Sequence, residues 1–235
     1  MKRIGEAWFS FCGVRSDAMG LKMARMPVRG SAARRGENVR VPGRSGGLWI
    51  DGGAYEQMKI GIECESADGF DEKRVRAWLQ GAGELVFSDE QDRAYSARAA
   101  QGCEFESAVE GYDRLKVQAE FVCQPLRMHR PEAEEIVLAS AGTVMNPGSA
   151  QSEPRIFVEA EGDFALAVNG ELIEVTGGSI VIDSELRDCL SPDGAQLANG
   201  RATLDAFPVL KPGANLISWT GDVSKVAIRP RWRDL

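Results

Sequence analysis

Met58-Lys59-Ile60-Gly61-Ile62-Glu63-Cys64-Glu65 decides the fold class. Met58, Ile60, Ile62 and Cys64 alternate with charged residues and a glycine. A period of two places one face of a strand in a core and the other in water. Leu115, Val117, Ala119, Phe121 and Cys123 alternate with Lys116, Gln118 and Glu120 in the same way. Two half-buried strands of this kind predict a sheet with one solvated face.

Between these strands lies one segment with helical spacing. Asp71 suits an N-cap, and Glu72 suits the first turn. Phe70 and Val75 have the spacing of a hydrophobic staple. Val75, Trp78 and Leu79 share a face, and Gly81 suits a stop, so the expected helix is about ten residues long. Glu84-Leu85-Val86-Phe87, Ser88-Asp89 and the run to Tyr95 follow as a strand, a polar turn and a returning strand.

The second half continues with short strands. Phe164, Leu166 and Val168 alternate before Asn169-Gly170, a pair suited to a type I′ hairpin turn because both central residues need positive φ. Ile180–Ile182, Leu216–Trp219 and Val226–Ile228 are three more expected strands. Pro125, Pro131, Pro147, Gly148 and Pro154 mark a composition break over residues 125–154. The break separates a β-rich N-terminal domain with one helix from a smaller all-β C-terminal domain.

The chain has 235 residues and a net charge of −7. Its first 50 residues hold ten basic and three acidic residues, and the remainder carries a net charge of −14. The globally acidic balance disfavours general nucleic-acid binding. Residues 25–47 read as an irregular, Arg- and Gly-rich loop, and a loop that long is usually functional or disordered. It carries Arg25, Arg29, Arg34, Arg35, Arg40 and Arg44 with no aromatic between Arg25 and Leu48 to stack a base. An arm lying on another copy of the chain, a solvated loop and a nucleic-acid contact are the alternatives. The opposite charge of the rest of the chain favours the inter-subunit arm, because an arginine fork pairs carboxylates bidentately.

Catalytic signals are weak. The five cysteines, Cys12, Cys64, Cys103, Cys123 and Cys189, show no CxxC spacing and read as free buried thiols rather than a disulfide framework or zinc site. His129, the sole histidine, stands beside Arg130 and Pro131 and reads as a solvated boundary residue. There is no P-loop and no GxGxxG after a strand. Asp183 and Glu185 are a tempting carboxylate pair for glycoside hydrolysis, with a solvated strand end as the plainer reading. Trp219 is a candidate sugar platform, although its strand context favours a core position. Met1–Trp8 has no apolar stretch of the secretory type, so folding in a cytoplasm is expected. No enzyme activity, cofactor or metal is expected.

Ordered motifs add a resemblance. Phe9-Ser10-Phe11-Cys12-Gly13-Val14-Arg15-Ser16-Asp17-Ala18-Met19-Gly20 resembles the opening of the distal tail protein (Dit) family of long-tailed, non-contractile bacteriophages. Val41-Pro42-Gly43-Arg44-Ser45-Gly46-Gly47-Leu48 is similar to that family's V-x-G-R-x-G-x-L segment. Trp78-Leu79, Leu85–Asp89 and Asp92–Tyr95 resemble its helix and hairpin, and Phe121-Val122-Cys123-Gln124-Pro125 the end of its first domain. In the second half, Asn146-Pro147-Gly148, Ser152–Ile156, Val168-Asn169-Gly170, Ile182–Glu185, Phe207–Asn215 and Ile228–Arg233 follow in the family's order. Two departures are Leu126, where an aromatic commonly follows the proline, and Pro147 inside its turn.

The resemblance implies a mainly β fold: an N-terminal β-sandwich with one α-helix and a β-hairpin (residues 1–130) and a C-terminal galectin-like β-sandwich (131–235), whose last strand returns toward the first domain. It implies a structural protein of a phage or prophage-encoded tail, in a six-fold ring joining the tail tube to the baseplate or tip. The implied partners are further copies of the chain, the major tail tube protein, the tail-tip (Tal) protein and receptor-binding proteins. The implied location is the distal end of the tail in the virion, with DNA passing through the ring, no specific nucleic-acid binding and no membrane. A carbohydrate-binding adhesion module is the rival from another class.

Overall fold

The chain divides into two units, one running to Arg127 and including Leu235, the other spanning Met128–Asp234. The structure is a computed structural model and describes residues 7–23, 25–100, 103–107 and 114–235. Most of the Met1–Trp8 stretch, read above for a secretory signal, lies outside the described residues.

In the first unit the strands are β1 (Phe9–Phe11), β2 (Val14–Arg15), β3 (Leu21–Met23), β4 (Arg34–Arg40), β5 (Gly47–Tyr55) and β6 (Met58–Ser66). Helix α1 (Glu72–Trp78) precedes β7 (Ala82–Phe87), β8 (Glu90–Ala99), β9 (Glu104–Ser107) and β10 (Leu115–His129). The main sheet runs β2-β1-β7-β8-β10-β6-β3, with β9 also on β10. The two strands with the plainest alternation are neighbours: Phe121 lies opposite Ile60, and Val117 opposite Cys64. Their apolar faces meet Phe9, Phe11, Leu85 and Phe87 in one core.

Helix α1 closes that core as its sequence requires. Asp71 Oδ1 accepts from the backbone N–H groups of Lys73 (2.9 Å) and Arg74 (3.3 Å). Val75 and Leu79 are buried, and Phe70 packs on the same cluster. The regular helix has seven residues, shorter than expected, because the chain has left α geometry by Gly81, whose φ is +107°. Trp78 stacks on Phe9 at 5.4 Å between ring centroids, and its Nε1–H donates to the Phe11 carbonyl at 2.9 Å. That bond ties the helix to β1 and satisfies a half-buried indole.

Residues 25–33 and 41–46 are irregular, as composition suggested, but the stretch between them is not. Arg34–Arg40 and Gly47–Tyr55 form a two-stranded ladder, β4–β5, with Arg40 opposite Gly47 and Arg34 opposite Tyr55. The strands escaped the pattern because neither face is buried: almost every side chain in both is exposed, so no alternation was imposed.

The second unit contains β11 (Ile136–Leu138), β12 (Gly142–Asn146), β13 (Arg155–Val168), β14 (Glu171–Val175) and β15 (Ile180–Asp183). β16 (Asp188–Leu190), β17 (Ala202–Leu204), β18 (Gly213–Arg229) and β19 (Arg233–Asp234) complete it. Its sheet runs β11-β18-β13-β14-β17, with β12 also on β18 and β15-β16 on β13. Asn169 and Gly170 both have positive φ, 55° and 88°, as the type I′ turn between β13 and β14 demands. The expected strands Leu216–Trp219 and Val226–Ile228 are one strand, β18, and Phe164–Val168 is only the end of β13. Register shifts at Glu159/Ala160 and Glu161/Phe164 explain the difference. A bulge inserts an unpaired residue and resets the alternation, so one bent strand reads as two.

Candidate interaction surfaces

The six arginines singled out in the sequence fall into two groups. Arg25 and Arg29 precede the ladder and bind its own unit. Arg25 pairs with Glu63 at 3.3 Å. Arg29 is mostly buried, lies over the Phe87 ring at 5.0 Å and pairs with Asp89 and Glu90. Arg127 shares Glu90 at 2.5 Å. Arg29 thus anchors the base of the arm to the β7–β8 turn.

Arg34, Arg35, Arg40 and Arg44 belong to the arm itself. Arg34 pairs with Asp51 on the facing strand and lies over the Tyr55 ring. The Gly53 backbone N–H and the Arg34 guanidinium hold the Asp51 carboxyl below the usual carboxylate range. Arg35 pairs with Glu56 at 2.9 Å. Arg40 and Arg44, at the far end, have no ion pair among the described residues. Beside them Leu48, Trp49 and Ile50 are roughly half exposed. A two-stranded ribbon without a packed face is at best marginal in water. The far end of the arm thus exposes apolar side chains beside two arginines without an ion pair. The ladder register was invisible in the sequence, but Leu48-Trp49-Ile50 after Gly46-Gly47 was a legible apolar signal.

Asp183 and Glu185 do not form an acid–base pair on a solvated strand end. Asp183 is 2% exposed, and both its oxygens accept from Arg231, at 2.7 and 2.9 Å. It also accepts from the backbone N–H groups of Glu185 and Leu186, both at 3.2 Å. Burial works against its charge, but Arg231 and these N–H groups outweigh it, so the carboxyl sits below its ordinary range. Glu185 lies in the turn beyond β15 and pairs with Arg231 at 3.2 Å and Arg233 at 3.0 Å. Arg233 also holds Glu153 at 2.7 Å. A glycosidase needs one carboxyl kept protonated near neutral pH. Here two arginines hold three carboxylates in a clamp that ties the turn after β15 to the chain's last residues.

The remaining candidates are also explained by packing. His129 is not solvated: its side chain is mostly buried, and Nε2 lies 2.9 Å from Asp234 Oδ2. Trp219 is half-buried against the second core, whereas the well-buried tryptophan of that unit is Trp232. Cys64, Cys103, Cys123 and Cys189 are buried and unpaired, but Cys12 is exposed, contrary to expectation, because it stands in the tight turn after β1 with a φ of 51°. Burial pushes the thiols of Cys64 and Cys123 up to about 12. Among the described residues no cluster of His, Cys, Asp and Glu could hold a metal ion, and no helix is long and apolar enough to cross a membrane.

No protein-family model matches the chain, and no curated protein is significantly similar to it. The chain superposes on the crystal structure of the SPP1 Dit protein with a TM-score of 0.71, over 97% of this chain and 99% of that one. The chain has the fold of SPP1 Dit. That protein is described as a paradigm of the hub adsorption apparatus in phages that infect Gram-positive bacteria, and the two sequences are 15% identical. The resemblance to Dit proteins carried by the ordered motifs therefore extends to a mainly β architecture with one α-helix and curled sheets.

Proposed function

We propose that this chain is a structural hub of a phage tail, with no enzymatic role. Copies of it assemble into a six-fold ring that joins the tail tube to the baseplate or tip. In this reading residues 1–130 build the ring, and residues 131–235 form a galectin-like domain. The major tail tube protein and the Tal protein are its axial partners, and receptor-binding proteins dock at the periphery. Its location is the distal end of the tail.

The observation that carries the reading is the correspondence with SPP1 Dit across nearly the full length of both chains. The arm adds physical support. An exposed ribbon ending in unpaired Arg40 and Arg44, on a chain whose remaining residues are strongly acidic, suits a heterologous contact of the kind that closes a ring.

Light scattering across a concentration series tests it. The expected mass is that of six chains. Arg40→Glu with Arg44→Glu should shift the protein toward single chains without lowering its unfolding temperature, since neither arginine has an ion pair to lose. A wild-type protein that is monomeric at every concentration would contradict a self-assembling ring. A ring unaffected by the double substitution would remove the arm from its interface.

A further inference from the structure

Two surfaces of the first unit carry opposite charges that have no ion pair among the described residues. One is the tip of the arm. β4 has seven residues and carries its end about 20 Å from its base at the usual rise of a strand. Arg40 stands at that end and Arg44 in the turn beyond it, and neither has an ion pair among the described residues. The ladder sets Asn38 opposite Trp49 and Arg40 opposite Gly47, so Arg40 and Trp49 share one face of the ribbon. Trp49 is 52% exposed there.

The other surface is a groove of about 560 Å³ on the outward face of β6, β9 and β10. Glu104 lies opposite Gln118, and Gln118 opposite Glu63, so three strands set two carboxylates in one row. Glu120 lies opposite Gly61 in the next row. A Cβ at Gly61 would meet nothing within 4 Å, so the missing side chain opens the floor. Arg25 matches Glu63 at 3.3 Å, and Lys59 matches Glu120 at 2.8 Å. Glu104 has no ion pair among the described residues. At the lip, Val28 is 89% exposed.

Each surface finds its complement on the same chain. Small-molecule pockets are lined mainly by apolar and aromatic side chains, whereas this groove is walled by charges. A different protein on the arm would leave Glu104 unmatched, and a different protein in the groove would leave Arg40 and Arg44 unmatched. A second copy matches both at once. The two oxygens of one carboxylate can accept from both guanidiniums. Two unlike patches on one chain also make a heterologous contact, the kind that closes a ring.

We propose that the arm tip of one copy enters the β6–β10 groove of the next, with Arg40 and Arg44 on Glu104 and Trp49 over Val28. The proposal rests on the six-fold ring proposed for this chain and names the surface that receives the arm.

The test uses the full-length chain and light scattering, at a concentration where the wild type has the mass of six chains. Glu104→Arg, and separately Arg40→Glu with Arg44→Glu, should each reduce the mass to that of one chain. All three positions are exposed and lack an ion pair, so both variants should unfold at the wild-type temperature. An equimolar mixture of the two variants should return to the mass of six chains. In the mixture a reversed tip meets a reversed groove, and a native tip meets a native groove, only where the two variants alternate. Strict alternation closes only in a ring of even number. A ring that survives Glu104→Arg, or variants that stay single when mixed, overturns the proposal and leaves the six-fold ring in place. A wild type that is a single chain at every concentration overturns both.

Discussion

Arg231→Met should be among the most damaging single substitutions outside the two apolar cores. Asp183 is 2% exposed and takes both Arg231 hydrogen bonds, at 2.7 and 2.9 Å. Deleting the guanidinium leaves a desolvated carboxylate with only two long backbone N–H contacts of 3.2 Å. Stranding a buried charge costs about 3–5 kcal/mol, whereas removing both charges costs much less. Glu185 is far more exposed and adds little, because water screens its half of the interaction. Urea unfolding of the full chain, followed through the transition of the second unit, should therefore show a loss of about 3–5 kcal/mol for Arg231→Met. Asp183→Asn combined with Arg231→Met should recover part of it, since Asn keeps an acceptor for the Glu185 and Leu186 N–H groups.

The pH dependence gives a second check on the same residues. In the wild type the folded carboxyl of Asp183 lies below its unfolded value, so its stabilisation is present above about pH 4 and is lost as pH falls through the folded value. In Arg231→Met burial, which raises the carboxyl, is opposed only by the Glu185 and Leu186 N–H groups. Protonation then relieves the variant, and its deficit against the wild type should shrink as pH falls toward 4. A deficit under about 1 kcal/mol at neutral pH would mean that water reaches the carboxylate and would refute the argument. So would a deficit independent of pH.

Two further outcomes are expected. Gly20 closes the Ser16–Gly20 turn at a φ of +69°, and a Cβ there would lie 2.4 Å from the Phe70 backbone nitrogen. Gly20→Ala should cost the first unit at least about 2 kcal/mol in urea unfolding, and a loss within error would show that the Ala67–Phe70 turn yields freely. A thiol reagent at mildly alkaline pH should modify Cys12 quickly in the native protein and the four buried cysteines only as it unfolds, because burial keeps them protonated. Rapid native modification of more than one thiol would contradict the packing around Cys64 and Cys123.

How much of this was legible in the sequence varied with how local the cause was. The alternations of Met58–Cys64 and Leu115–Cys123, the Asp71 cap and the Asn169-Gly170 turn act over a few residues, and each took the form its chemistry requires. The ladder Arg34–Arg40 with Gly47–Tyr55 left no alternation because nothing buries it. The long strands Arg155–Val168 and Gly213–Arg229 were broken in reading at the bulges that bend them. The six arginines were visible as a charge run, but their division into Arg25 and Arg29 on the body and Arg34, Arg35, Arg40 and Arg44 on the arm needed partners distant in sequence.

By itself, then, the sequence determined a mainly β chain with one capped helix and type I′ turn chemistry, because hydrophobic period and backbone φ are properties of neighbouring residues. It determined that the chain lacks the motifs of familiar catalysis, and its ordered turns pointed to the Dit resemblance. Only the tertiary structure decided what Asp183 and Glu185 are. Their partner Arg231 lies more than forty residues away and turns a candidate acid pair into a clamp. Only the pairing of β10 with both β6 and β9 brought Glu63, Glu104 and Glu120 to one groove. Cross-strand pairing is set by the packing of the whole sheet, and no window of the sequence contains it.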